Sequence, residues 1–266
     1  MLTPRKKKWY RLCNRHRWLP VILGLVNAAV YILLFTVLDA PVMGYVFAGV
    51  FILLSFFSGA AKSGQLMSDC GKILTDQCDP YPLLAEAEDQ LSYVKNAGNR
   101  TNLIIDRCAA LCNLGERTTA LTELEALNID DPVTVPAVRH AYYHNLTVCA
   151  AGCGQLEKAR VYYQKMNQQL DSLKGKAYDN ANQAAPLCTA SLLIAEGRYG
   201  DAYQILGPFS PINRLQQVGR AYWLGQIALA QNQPANAKIH LSFVAQQGNR
   251  LYITELAREQ LAALSE

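Results

Sequence analysis

The chain has 266 residues and a formal net charge of +4, but the positive charge is local: Arg5, Lys6, Lys7, Lys8, Arg11, Arg15 and Arg17 precede any acidic residue, and the remainder of the chain holds 18 basic against 21 acidic side chains. The overall balance is therefore no argument for a nucleic-acid binder. Once the apolar part near the N-terminus is set aside, the length leaves room for one soluble domain of ordinary size.

Residues 1–17 form a basic N-terminus. Its run RKKKWYRLCNRHRW interleaves aromatic and cationic side chains, a pattern that also occurs where proteins grip nucleic acid. Beside an apolar stretch the better reading is a membrane surface, where anionic head groups attract Lys and Arg and the interface suits Trp9, Tyr10 and Trp18. Residues 18–61 carry one formal charge, Asp39, near their middle. They divide into two apolar segments, 18–38 and 41–61, joined by Asp39, Ala40 and Pro41. Each is long enough to cross a hydrocarbon core of roughly 30 Å as a helix, and neither alternates as a barrel strand would. A transmembrane helical hairpin is the expectation. A buried hairpin of a soluble core rarely sustains such apolar density. A signal peptide would end in a small-x-small site, which is absent here, and would not be followed at once by a second span. A basic flank beside the first span is retained on the cytoplasmic side, and two spans return the chain to it. Both termini and the domain at 62–266 are thus expected in the cytoplasm, with an anionic bilayer as one partner. The eight cysteines would permit four disulfides in an oxidising compartment, but on this side they are expected as thiols. The glycosylation-type triplets at Asn99 and Asn145 are read as chance matches.

Beyond residue 62 the pattern is helical throughout, so the expected fold class is all-α. The segment CDPYPLLAEAEDQL looks like a helix begun by Pro82, with a partner over residues 64–75. From Thr101 a unit recurs: an amphipathic helix, a short turn with Gly followed by a polar residue, and a second helix with Ala five residues after the Gly. Gly115 precedes Ala120, Gly154 precedes Ala159, Gly197 precedes Ala202, and Asn232 precedes Ala237. Asn tolerates the left-handed backbone that a helix C-terminus needs. The Ala lets two helices approach closely. The 43-residue step between the second and third turns calls for a loop around residues 174–180. LYITELAREQLAALSE reads as a capping helix that packs through Leu251, Leu256, Leu261 and Leu264.

The spacing and residue types resemble the tetratricopeptide repeat (TPR), a helix-turn-helix unit of about 34 residues. Leu111, Gly115, Ala120, Leu124 and Pro132 of the first unit fall on its apolar, turn, small, apolar and closing positions. Leu224, Gly225 and Ala237 match in the fourth, while the second and third lack the Leu-Gly pair. The resemblance covers residues 64–266 and implies an α-solenoid of about four to five helical pairs. It further implies a concave groove, lined by the first helix of each pair, that binds a protein or peptide. By that register Asn102, Asn113, His144, Tyr222 and Gln226 face the groove. This set is nearly uncharged and lacks the cationic clamp some TPR domains use for a carboxylate.

Catalytic motifs are missing: there is no HExxH, GxxxxGK[ST], GxGxxG, GxSxG or CxxC. His140 and His144, four apart on a helix, would share a face without a third metal ligand, and Cys108/Cys112 and Cys149/Cys153 have the same spacing. The tyrosines are expected mostly in packing. The reading is a non-enzymatic, membrane-anchored scaffold without metal or cofactor, binding a protein or peptide partner and with oligomerisation left open. The alternative is an accessory subunit of a transporter, secretion or envelope-assembly complex that makes its contacts through the hairpin, where Gly24, Asn27, Gly44 and Gly49 suit close helix packing.

Overall fold

A computed structural model describes residues 3–16, 18–129 and 134–265, leaving aside the side chains of residues 14, 41, 51 and 53–63. The chain divides into two compact units, Met1–Gly71 and Lys72–Glu266. Both are α-helical, and there is no strand among the described residues.

In the first unit α1 (Pro4–Arg15) starts on Thr3, whose hydroxyl accepts the Lys6 backbone N–H, with Pro4 in the first turn where a missing N–H costs nothing. Then come α2 (Leu19–Val37) and α3 (Pro41–Gln77). The chain reverses at Asp39, which has a left-handed φ of 54°, while the Ala40 N–H closes on the Phe35 carbonyl at 2.8 Å. α3 returns along α2. Phe47 stacks on Phe35 and Tyr31, ring centroids 5.5 and 6.2 Å apart, and a Cβ on Gly44 would lie 3.0 Å from Phe35 Cβ, so glycine sets how close the two backbones come. α2 buries Pro20, Gly24 and Ala28 and turns large apolar side chains outward, Leu33 at 69% and Val37 at 75% exposure. That distribution is the reverse of a soluble helix. Among the described residues α2 is the one helix long and apolar enough, by length and composition, to cross a membrane. The expected second span at 41–61 falls largely on side chains outside the described residues.

Where a separate helix over residues 64–75 was expected, α3 runs on unbroken for 37 residues. No proline interrupts it after Pro41, and Gly64 and Gly71 sit in ordinary helical backbone with open space at their Cβ positions. Near its end Lys7 of α1 meets Asp69 at 2.7 Å, the Asp69 side chain being 6% exposed.

The second unit contains α4 (Tyr81–Leu91), α5 (Ala97–Asn113), α6 (Arg117–Glu125), α7 (Pro136–Gly152), α8 (Leu156–Leu170), α9 (Lys176–Ala195), α10 (Tyr199–Leu206), α11 (Arg214–Ala230), α12 (Pro234–Gln247) and α13 (Tyr252–Ala263). Four turns, joining α5 to α6, α7 to α8, α9 to α10 and α11 to α12, have one construction. Gly115, Gly154, Gly197 and Asn232 take φ of 90°, 74°, 76° and 55°. The residue after each returns its N–H to the carbonyl five positions back: Glu116 to Leu111, Gln155 to Ala150, Arg198 to Leu193 and Gln233 to Ala228, at 2.8 to 2.9 Å. This is the Schellman closure, which consumes carbonyls that the helix end leaves unpaired. Five residues after each turn residue, Ala120, Ala159, Ala202 and Ala237 are all 0% exposed. A methyl group is what the helix contact admits there.

The loop expected at residues 174–180 is shorter, because α9 begins at Lys176 on Gly175. Pro132 lies outside the described residues. One core, around Leu124, Leu146, Met166 and the thiols of Cys108, Cys149 and Cys188, joins α5 to α9. Another, around Leu206, Leu224 and Ile227, joins α9 to α11. Arg107 ties α4 to α6 by pairing with both Glu88 and Glu123.

The two ends of this unit meet. Asn249 in the α12–α13 turn donates its side-chain amide to the Gln77 carbonyl at 2.8 Å, and the Arg250 N–H reaches the Cys78 carbonyl at 3.2 Å. The Arg250 guanidinium pairs with Asp79 at 3.6 Å and covers the Tyr81 ring. Tyr252 packs on Gly115, where a Cβ would lie 3.2 Å from its ring carbon Cγ, and carries the Arg117 guanidinium 4.6 Å above its ring. Leu251 is 2% exposed beneath this closure.

Candidate functional site

The five residues assigned to a groove lie on three helices and in different surroundings. Asn102 is exposed on α5. Asn113, at the C-terminal end of α5, is half-buried and donates its amide to the Ala109 carbonyl of its own helix at 2.8 Å. His144 on α7 is half-buried, its ring 6.5 Å from that of His140 one turn earlier, and its Nδ1 has no hydrogen-bond partner. Burial first, and then the neighbouring His140, lower its pKa to about 4, so the imidazole is neutral at physiological pH.

Tyr222 is 7% exposed, and its ring meets Trp223 edge to face at 5.0 Å. Burial raises its phenol pKa. It is a packing residue on α11. Gln226 is spent on α13: its amide donates to Gln260 Oε1 at 2.7 Å and accepts from Gln260 Nε2 at 3.2 Å. The capping helix thus reaches α11 at Gln226. Among the described residues no hydrogen bond or ring contact links one of the five to another.

On α1, Arg5, Lys6, Lys8, Arg11 and Arg15 are exposed, Lys7 is engaged by Asp69, and Arg17 lies outside the described residues. The cysteines form no disulfides. Cys112 and Cys149 meet between α5 and α7, and contact with the Cys149 thiol, aided by the nearby Arg117 charge, lowers the Cys112 pKa while that of Cys149 rises. Among the described residues no three His, Cys, Asp or Glu side chains group to hold a metal ion.

One built surface carries no motif. At the closure lies a cleft of about 870 Å³ whose walls include Tyr81, Leu114, Glu116, Arg250, Tyr252 and Leu256. It mixes aromatic and aliphatic walls with a carboxylate and a guanidinium. Its residues come from three separate stretches of the chain, the start of α4, the α5–α6 turn and the α12–α13 turn with the first part of α13, and no spacing in the sequence announces that they adjoin. A smaller hollow of about 420 Å³ between α8 and α9–α10 is walled by Glu196, held between Arg160 at 2.7 Å and Arg198 at 3.4 Å. Asp106, on α5, is pushed up to about 6 by burial.

No family model, curated protein or solved structure matches the chain.

Proposed function

We propose that this is a membrane-anchored, TPR-like helical-repeat scaffold that holds a protein or peptide partner at the cytoplasmic face. The observation that carries the repeat reading is the fourfold recurrence of one turn: a left-handed Gly or Asn, an N–H returned five positions back, and an alanine at zero exposure five residues on. The anchor is the α2–α3 hairpin with two spans. Its support is the pairing of Lys7 with Asp69, which keeps basic α1 and the polar end of α3 on one side, as two crossings require.

Asn102, Asn113 and His144 are the groove contacts, with selection by hydrogen bonds and shape on a nearly neutral face. The test uses the full chain in mild detergent. Replacing all three by Ala should leave the circular dichroism unchanged and abolish the set of co-purifying proteins. If the folded triple variant retains that set, the groove reading fails and the alternative, a subunit that contacts a larger assembly through its spans, takes its place. Topology is tested by labelling from outside intact cells: a cysteine at Asp39 should react, and one at exposed Glu116 should not. The native Cys70, Cys108 and Cys188 cannot report, because all three are buried and stay silent on either side.

A further inference from the structure

α2 carries an amide near its middle, and the amide does not face α3. The side that α2 gives to α3 is Gly24 and Ala28, continued by Tyr31 and Phe35 on Phe47. Asn27 lies off that side and is exposed.

If α2 crosses the bilayer, as proposed above, Asn27 sits about 12 Å from the Leu19 end and about 15 Å from the Val37 end, at roughly 1.5 Å per residue. A short side chain reaches neither headgroup layer from there. Thr36, in the same helix, satisfies its hydroxyl on the Ile32 carbonyl at 2.7 Å. Asn27 makes no such bond and has no hydrogen-bond partner among the described residues, so in hydrocarbon its amide requires a polar group from another helix.

The surroundings of Asn27 are those of a helix-pairing seam. Leu23, Asn27, Val30, Leu34 and Val37 are spaced four, three, four and three residues apart, the heptad interval of left-handed helix pairs in membranes and in water. All five are exposed, the apolar four at 39%, 56%, 50% and 75%. An amide both donates and accepts, so an identical amide across a twofold axis completes it, which no apolar or purely accepting partner does. The same chemistry already operates elsewhere in this molecule, where the Gln226 and Gln260 amides bond reciprocally. We propose that α2 pairs with α2 of a second copy along this seam, the two Asn27 amides hydrogen-bonded to each other at its centre.

The experiment uses the purified full chain reconstituted in bilayer discs and in mild detergent. The parent should have the mass of a dimer, and Val30→Cys should form an intercopy disulfide on mild oxidation. Asn27→Leu should weaken the dimer roughly 3- to 30-fold, the span measured for hydrogen bonds between membrane helices, while Asn27→Gln retains it. Neither change threatens the fold, since both side chains suit an exposed helical position. A monomeric parent overturns the inference, as does a dimer indifferent to Asn27→Leu. So does a purified monomer that captures a different membrane protein through Asn27, because the seam would then serve a foreign span. Val26→Trp, at an exposed position outside both the seam and the side given to α3, separates this failure from failure of the anchor. Quenching by lipids brominated deep in their chains shows that α2 spans the bilayer, whereas its absence removes the anchor reading and this pairing with it.

Discussion

Gly115→Ala tests the closure of the second unit, and its cost can be worked from two separate contacts. Gly115 has a φ of 90°, where an L side chain is strained by roughly 1–2 kcal/mol. Its Cβ would also meet Tyr252 Cβ and Cγ at 3.2 Å and Cδ2 at 3.3 Å, inside the roughly 3.5–4.0 Å of comfortable carbon contact, which adds about 1–2 kcal/mol of overpacking. Gly154 is the internal control: its φ is 74°, but nothing lies within 4 Å of its Cβ position, so Gly154→Ala should cost the strain alone. Urea unfolding of the full chain in detergent, followed by circular dichroism, should therefore place Gly115→Ala about 1–2 kcal/mol below Gly154→Ala. Adding Tyr252→Ala removes two of the three crowding atoms, Cγ and Cδ2, and the Arg117 contact, while the Cβ at 3.2 Å remains, so the two changes at the closure should be non-additive by about 1 kcal/mol in the direction of relief. Equal costs at the two glycines, with additivity within about 0.5 kcal/mol, would mean that the α5–α6 turn does not touch α13 and that the ends of the unit are apart.

Buried polar groups yield two more expected outcomes. His144, held at about 4 in the folded protein against 6.5 when unfolded, contributes stability that is present above pH 6.5 and lost as pH falls through 4, by about 3 kcal/mol in all. Asp106, raised to about 6, acts in the opposite sense, its contribution being greatest below pH 4 and lost as pH rises through 6. Because His140, His240 and Glu125 also have lowered pKa values, the readout is a difference: as pH falls from 7 to 4 the melting temperature of His144→Gln should drop less, or rise more, than that of the parent, and parallel curves would contradict the burial of His144. Gln226→Leu alone should cost about 1–3 kcal/mol by stranding the Gln260 amide, and the double change Gln226→Leu with Gln260→Leu should cost less than either single one. A double variant as unstable as the sum of the two would refute the reciprocal pair.

The parts of this fold that were legible in the sequence are those a single residue decides. A helix end that must turn left-handed admits Gly or Asn, and a contact with no spare volume admits Ala, so the turns and the alanines that come after them stood out at fixed spacing. The apolar density of α2 is equally direct, because hydropathy needs no partner to be read. What failed to show was everything that depends on distant residues. Tyr222 and Gln226 sit at groove positions of the register, yet one is buried beside Trp223 and the other is bonded to Gln260 of α13. The unbroken run of α3 was hidden because its apolar half ends at residue 61 and polar sequence follows, while the helical backbone continues through Gly64 and Gly71. Tyr252, in a stretch read only as a leucine-bearing cap, and Arg250 just before that stretch have their partners at residues 115–117 and 78–81, and no periodicity signals a contact of that separation.

The bond from Asn249 to Gln77 spans 172 positions, and this sets the order in which the protein can be completed as it is made. A stack held only by neighbouring pairs can form progressively behind the ribosome. Here the first pair stays unsealed until the α12–α13 turn has emerged, an interval of roughly 10–35 s at 5–20 residues per second. Bringing such distant positions together costs about 4–5 kcal/mol of chain entropy if the intervening chain is loose, but far less once α5 to α12 have stacked and shortened the gap. Sealing is therefore the last step, driven by the helices already formed. Cys78 ends up 0% exposed, with Arg250 bonded to its carbonyl and its thiol pushed up to about 11, chiefly by burial. Its loss of reactivity during synthesis is a clock for the moment at which the domain becomes whole.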